Sequence, residues 1–189
     1  MSTKNIMIVG VGGQGTLLAS RILGNAVIQK GYDVKVSEVH GMSQRGGSVV
    51  TYVKFGDAVH SPIIDKGEAD IILAFECLEA YRALPWLKKG GKMIVNNQRI
   101  TPMPVITGAA EYPTDILTKL GAVVDLTAVD ALALAREAGN AKAVNVVLIG
   151  VMAKNTEIPY EEWIETIKST VPPKFLDANL KAFDLGYHL

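Results

Sequence analysis

Two glycine-rich stretches hold most of the residues whose types and spacing could do chemistry. The first, Gly10-Val11-Gly12-Gly13-Gln14-Gly15, satisfies G-x-G-x-x-G directly after the apolar run 6–9. It also directly precedes a stretch in which Ala19, Ile22, Leu23, Ala26 and Val27 recur at helical spacing. In a strand–turn–helix of this kind Gly10 permits a sharp turn and Gly12 lets a phosphate approach the backbone. Gly15 lets the helix pack closely. The helix start then offers unpaired N–H groups and a partial positive charge to an anion. Glu38 ends the next apolar strand, where a dinucleotide enzyme places its ribose-binding acid. Three readings fit: an NAD(P)-dependent reductase using Glu38, a non-enzymatic nucleotide-binding regulator, or a tight turn that binds nothing. Against the first, the chain offers no separate substrate domain and no evident donor–acceptor pair for hydride chemistry.

The second stretch is Ser37-Glu38-Val39-His40-Gly41-Met42-Ser43-Gln44-Arg45-Gly46-Gly47-Ser48. It follows the second strand and so belongs to the same carboxyl edge of an α/β sheet, where ligands and partners bind. Gly41, Gly46 and Gly47 free the backbone, while Glu38, His40, Gln44 and Arg45 supply charge and hydrogen bonds. Arg45 could grip a carboxylate or phosphate in two-point fashion. The plainer alternative is a solvated loop whose arginine pairs with a surface acid.

The remaining reactive residues point to little. Cys77 opens a helix, where the positive helix end favours a thiolate, yet a buried, inert cysteine is the commoner case. His40, His60 and His188 lack a metal-ligand spacing, and no H-x-x-x-H or C-x-x-C occurs. Neither Ser43 nor Ser48 sits in a G-x-S-x-G elbow. Asn145, polar within an apolar run, needs a partner if buried and could serve an interface or a site edge.

The elements that must position these residues alternate along the chain. Apolar runs at 6–9, 34–39, 48–55, 70–75, 92–95 and 123–126 read as strands, with helices over 16–30, 77–84 and 128–138. Residues 59–64 read as a hairpin partner of the third strand, confined to an edge by Pro62, and Val105-Ile106 as a short edge strand. The segment 143–153 is apolar nearly all round and must be buried on several sides, with Trp163, Phe175 and Phe183 as its cover. The expected fold is a three-layer α/β/α domain, Rossmann-like, with a mostly parallel sheet. Residues 1–189 form one domain, of which 140–189 is a helical tail.

Composition bounds the function. Apolar residues make up 49% and charged residues 20%, as in globular proteins. Lys+Arg and Asp+Glu number 19 each, so no net field favours nucleic acid or an anionic membrane. The single cysteine excludes an intrachain disulfide and an iron–sulfur cluster held by this chain alone. With no evident leader and no apolar stretch approaching the ~20 residues of a bilayer span, a cytoplasmic protein is expected.

The two loops together resemble the gamma-type module of the 2-oxoacid:ferredoxin oxidoreductases. Gly12-Gly13-Gln14-Gly15 is followed by Gly41-Met42-Ser43-Gln44-Arg45-Gly46-Gly47, then by Asp70-Ile71-Ile72-Leu73-Ala74-Phe75-Glu76 and Asn145-Val146-Val147-Leu148-Ile149-Gly150. The ending Val171-Pro172-Pro173-Lys174-Phe175-Leu176 through Asn179-Leu180-Lys181-Ala182-Phe183 and Gly186-Tyr187 is similar to the small (beta) subunit of the indolepyruvate type. The resemblance spans essentially the whole chain. It implies a heteromer of anaerobic metabolism in which a large subunit carries thiamine diphosphate, Mg and [4Fe–4S] clusters. CoA is the co-substrate and ferredoxin takes the electrons. This chain would bind no cofactor and be inactive alone, and a homodimer of it stays open. The substrate would be an arylpyruvate, with pyruvate- and 2-oxoglutarate-type enzymes as alternatives. CoA, another anion or the partner would be met by Gly10, Gly12, Gly13, Gln14, Gly15, Glu38, His40, Gly41, Met42, Gln44, Arg45, Gly46, Gly47 and Asn145, none of them bond-making.

Overall fold

In the strand β1 (Lys4–Val11), Ile6 and Ile8 point to one face and Met7 and Val9 to the other, and all four are buried. A strand with period-two side chains that are apolar on both faces must lie in a sheet covered on both sides. The computed structural model, which describes residues 3–38, 43 and 45–189, has that arrangement. The helix α1 (Thr16–Gln29) follows β1, then the strands β2 (Asp33–Glu38), β3 (Ser48–Gly56) and β4 (Ala69–Ala74). Next come α2 (Cys77–Ala83), β5 (Leu87–Asn96), α3 (Met103–Ile106), α4 (Ile116–Gly121), β6 (Asp125–Val129) and α5 (Ala131–Glu137). Three longer helices finish the chain: α6 (Val144–Ala153), α7 (Tyr160–Thr170) and α8 (Leu176–Tyr187).

The six strands form one sheet in the order β2-β3-β1-β4-β5-β6. β1, β4, β5 and β6 pair in parallel, while β3 runs antiparallel to both of its neighbours, β1 and β2. One face of the sheet (Ile6, Ile8, Val53, Leu73, Ile94) packs with residues of α1, α5, α6, α7 and α8, and the other (Met7, Val9, Ile72, Met93, Val95) with residues of α2 and α4. The three-layer α/β/α expectation therefore holds.

Several local expectations do not. β1 and β2 run the same way, with β3 lying between them. Residues 59–64 form no strand. Both edges of β3 are already taken, by β1 and β2, and the segment instead runs as irregular chain with Val59 and Ile64 buried. Val105 and Ile106 lie in the short helix α3, whose first turn holds Pro104, a position that proline suits. Phe175 is exposed and does not cover α6.

α6 and α8 meet at backbone contact. A Cβ on Gly186 would stand 2.1 Å from the Val147 carbonyl oxygen, and one on Gly150 would stand 2.3 Å from that of Phe183. No flexible side chain can yield there, so only glycine permits the approach. Gly24, inside α1, has nothing within 4 Å of a Cβ. Gly186→Ala should accordingly lower stability by about 3 kcal/mol. Gly24→Ala should be neutral or raise it by up to about 1 kcal/mol, because alanine is the better helix former. Urea unfolding of the two variants checks both signs.

Candidate functional site

The carboxyl ends of β1, β4, β5 and β6 set the site, and the glycine loop is its centre. Gly10 still belongs to β1, opposite Val49 in β3. A Cβ on it would stand 2.9 Å from the Gln14 side-chain oxygen and 3.0 Å from the Phe75 Cβ, so glycine admits the side chain that folds over it. Gln14 Oε1 accepts from the Val11 N–H at 2.7 Å, and Gln14 Nε2 donates to the Phe75 carbonyl at 3.0 Å and to Gln98 Oε1 at 3.2 Å. This glutamine ties its own loop to the ends of β4 and β5.

Gly15 adopts φ +84° at the start of α1. Its carbonyl accepts from Asn145 Nδ2 at 3.2 Å, and a Cβ on it would lie 2.7 Å from that nitrogen. The close approach enabled by Gly15 is thus to α6 rather than to the strand. Asn145, buried, keeps its oxygen on the Val146 N–H at 2.9 Å. Among the described residues, no backbone carbonyl takes the N–H of Gly13 or Gly15.

The second loop touches the first directly. The Gly12 N–H donates to the Gly47 carbonyl at 2.9 Å, and the Gly47 N–H to the Ser43 carbonyl at 3.0 Å. Gly46 has φ +95°, and Arg45 is exposed beside it. Glu38 stands apart from the glycine loop, at the end of the edge strand β2, where Oε1 accepts from Ser20 Oγ on α1 at 2.5 Å. His40, Gly41, Met42 and Gln44 lie outside the described residues.

A polar network behind the glycine loop escaped sequence reasoning. Glu76, buried, caps α2 by accepting from the Glu79 N–H at 2.9 Å, and it also accepts from the Ile100 N–H at 3.0 Å and Tyr112 Oη at 2.7 Å. Asn96 Nδ2 donates to the Phe75 carbonyl and to Gln98 Oε1, while its oxygen accepts from the Ala131 N–H. Ser48 Oγ donates to Glu79 Oε2 at 2.6 Å, and Arg82 pairs with Oε1 of the same carboxylate at 2.5 Å. An acid placed immediately after the apolar run 71–75 was the one available signal. Burial first, and then the hydrogen bond to the Glu76 carboxylate, holds the Tyr112 phenol protonated well above the usual tyrosine range.

Such an arrangement fixes loops and offers backbone N–H groups and an arginine to an anion. Among the described residues, no group of three His, Cys, Asp or Glu side chains converges as metal ligands. Nor is any helix among them long and apolar enough to cross a membrane.

The frame of the site is thus an α/β domain with a double loop at the carboxyl edge of its sheet. Comparison with known proteins makes the class specific. Residues 5–189 match the pyruvate ferredoxin/flavodoxin oxidoreductase family, and the chain belongs to it. It is 47% identical to the indolepyruvate oxidoreductase subunit IorB of Pyrococcus horikoshii, over 98% of this chain and 95% of that one. Among solved structures it resembles the gamma subunit of a keto/oxoacid ferredoxin oxidoreductase from Geobacter sulfurreducens, with a TM-score of 0.72 and 26% identity over 98% of this chain and 96% of that one. The fold also recurs in the 2-oxoglutarate:ferredoxin oxidoreductase of Magnetococcus marinus, solved with 2-oxoglutarate, coenzyme A and succinyl-CoA, at a TM-score of 0.75 and 18% identity. All of this chain then spans 31% of that one. This is a small subunit of an oxidoreductase complex.

Cys77 is not a reactive thiol of the site. It is buried, and Sγ faces the Asn96 carbonyl at 3.8 Å. Burial, reinforced by the Glu76 charge, pushes its pKa up, so at neutral pH the thiolate is scarcer than in a free cysteine. Iodoacetamide should therefore leave the folded chain unlabelled at pH 7 and label it fully in urea, as mass spectrometry would show. Rapid labelling of the folded chain would contradict this placement.

Proposed function

We propose that this chain is the small subunit of a 2-oxoacid:ferredoxin oxidoreductase acting on arylpyruvates such as indolepyruvate, and that it is inactive alone. It supplies one wall of an active site completed by a larger subunit, which carries thiamine diphosphate, Mg and the [4Fe–4S] clusters. Thiamine diphosphate supplies the electron sink for decarboxylation when bound there. The overall reaction takes a 2-oxoacid, CoA and two oxidised ferredoxins to an acyl-CoA, CO2, a proton and two reduced ferredoxins.

This chain's residues bind and position. Arg45 and the N–H groups of Gly13 and Gly15 take the anionic part of the acyl acceptor CoA. Gln14 and Asn145 hold the glycine loop in the shape that binding requires, while Glu76, Asn96 and Gln98 brace it from behind. One observation carries the reading: the hydrogen bond from Gly12 to Gly47 joins the two loops into a single rim. The arylpyruvate preference is supported by the likeness to the Pyrococcus subunit along nearly the full length of both chains. The role of CoA is supported by the anion-suited chemistry of the rim.

Anaerobic co-expression with candidate large subunits, followed by purification on a tag placed on this chain, tests the proposal. The eluate should contain iron, thiamine diphosphate and a second, larger chain, and should reduce ferredoxin only when indolepyruvate and CoA are both present. Arg45→Ala should raise KM for CoA about tenfold with little change in KM for the oxoacid, as expected for one lost charge-assisted contact. A chain that elutes alone with bound nicotinamide nucleotide would overturn the reading in favour of a reductase.

A further inference from the structure

A cavity of about 310 Å³ opens at the opposite, amino end of the sheet, away from both glycine loops. Its floor is apolar: Ile6, Phe55, Ile71 and Ile158 are buried there, and the Tyr32 ring tilts against Phe55 at 6.1 Å between centroids. Its rim is cationic, with Lys4, Lys30, Lys88, Lys89 and Lys92 set against only three carboxylates, those of Asp70, Asp125 and Glu157. Three of the lysines are occupied: Lys30 with Glu162 at 2.7 Å, Lys88 with Asp70 at 3.0 Å, and Lys92 with Asp125 at 3.3 Å. Asp70 is engaged further by the Asn5 N–H at 2.9 Å. Among the described residues, Lys4 and Lys89 have no acidic partner. The hydroxyl of Thr156 and the amide nitrogen of Asn155 are already spent on the carbonyls of Ala153 and Val151. What the cavity leaves unsatisfied is thus a buried apolar floor and two ammonium groups set against a single unpaired carboxylate, that of Glu157, a surplus of one positive charge.

The geometry points to a second binding site on this chain, for a small organic anion with an aromatic body: an aryl carboxylate. Its ring would lie on Phe55, Tyr32 and Ile158, and its carboxylate would meet Lys4 and Lys89. The volume lies at the low end of small-ligand sites, which suits one ring and a short acidic arm. A Cβ on Gly91 would stand 3.0 Å from the Ala69 and Asp70 carbonyl oxygens, so the lysine-bearing turn lies close against the sheet end. Occupancy at this end would not compete with anything bound at the carboxyl edge, and the site is therefore suited to sensing an aromatic acid rather than to transforming it.

Titration of the isotopically labelled full chain, followed by amide chemical shifts, tests the site with three probes: phenylacetate, its neutral counterpart 2-phenylethanol, and inorganic phosphate. Phenylacetate should give saturable shifts at Gly90, Gly91, Thr156 and Ile158 and none at Gly12, Gly13 or Gly15. Both other probes should bind about tenfold more weakly, one lacking the charge and the other the ring. The K4E/K89E variant, altered only at the rim, should weaken phenylacetate by a similar factor while keeping the native spectrum elsewhere. Equal binding of phenylacetate and 2-phenylethanol, shifts centred on the glycine loop, or no saturable shifts would each overturn the proposal. So would loss of phenylacetate binding once the large subunit is assembled, because the face would then be a subunit contact.

Discussion

Burial of α6 on every side is the constraint on which the other features depend. All of its residues from Asn145 to Ala153 are buried, so the helix must lie between the sheet and another layer, and α8 provides that layer. Two glycines let the helix backbones touch, and Trp163 and Phe183 close the remaining sides. Because α6 cannot shift, its first turn is a fixed point. Asn145 is held there, and through the Gly15 carbonyl it fixes the glycine loop from the side that the sheet does not reach. The packing of an apolar helix thus becomes the shape of a polar loop.

From that loop the organisation spreads by hydrogen bonds rather than by apolar contact. Gln14 reaches Phe75 and Gln98, Asn96 reaches Phe75 and Ala131, and Glu76 gathers the 100s segment through Ile100 and Tyr112. A buried polar network of this kind is stabilising only when its members are satisfied together, and those named here are. The carboxyl edge is therefore braced from behind, which suits the proposed role of the double loop as one wall of a shared site. The amino edge is built on the opposite plan, with an apolar hollow ringed by lysines.

The sequence disclosed those features that depend on neighbours along the chain. Strand–glycine–helix order announced the first loop, all-round hydrophobicity announced the burial of α6, and a polar residue inside that run singled out Asn145. What it concealed depends on pairing across distance. Periodicity says that 34–38 and 48–55 are strands, but not that the later one lies between β1 and the earlier. A run such as 59–64 reads as a partner of β3 until both edges of β3 are found occupied. Glu76 looked like an ordinary residue after a strand because, beyond the local cap to Glu79, its partners lie 24 and 36 positions further on. Glu38 matched a ribose-binding acid by position alone, and Ser20, on the helix between, takes its carboxylate instead.

Hydrogen–deuterium exchange of this chain, free, assembled with its large subunit, and then with CoA added, tests whether the double loop forms a wall of a shared site. The account predicts that assembly slows exchange in the peptides covering residues 10–16 and 43–48, that CoA slows it further there, and that α6 is unchanged because it is already protected. Slowing confined to other parts of the chain, with the two loops exchanging as freely in the loaded complex as in the free subunit, would contradict it.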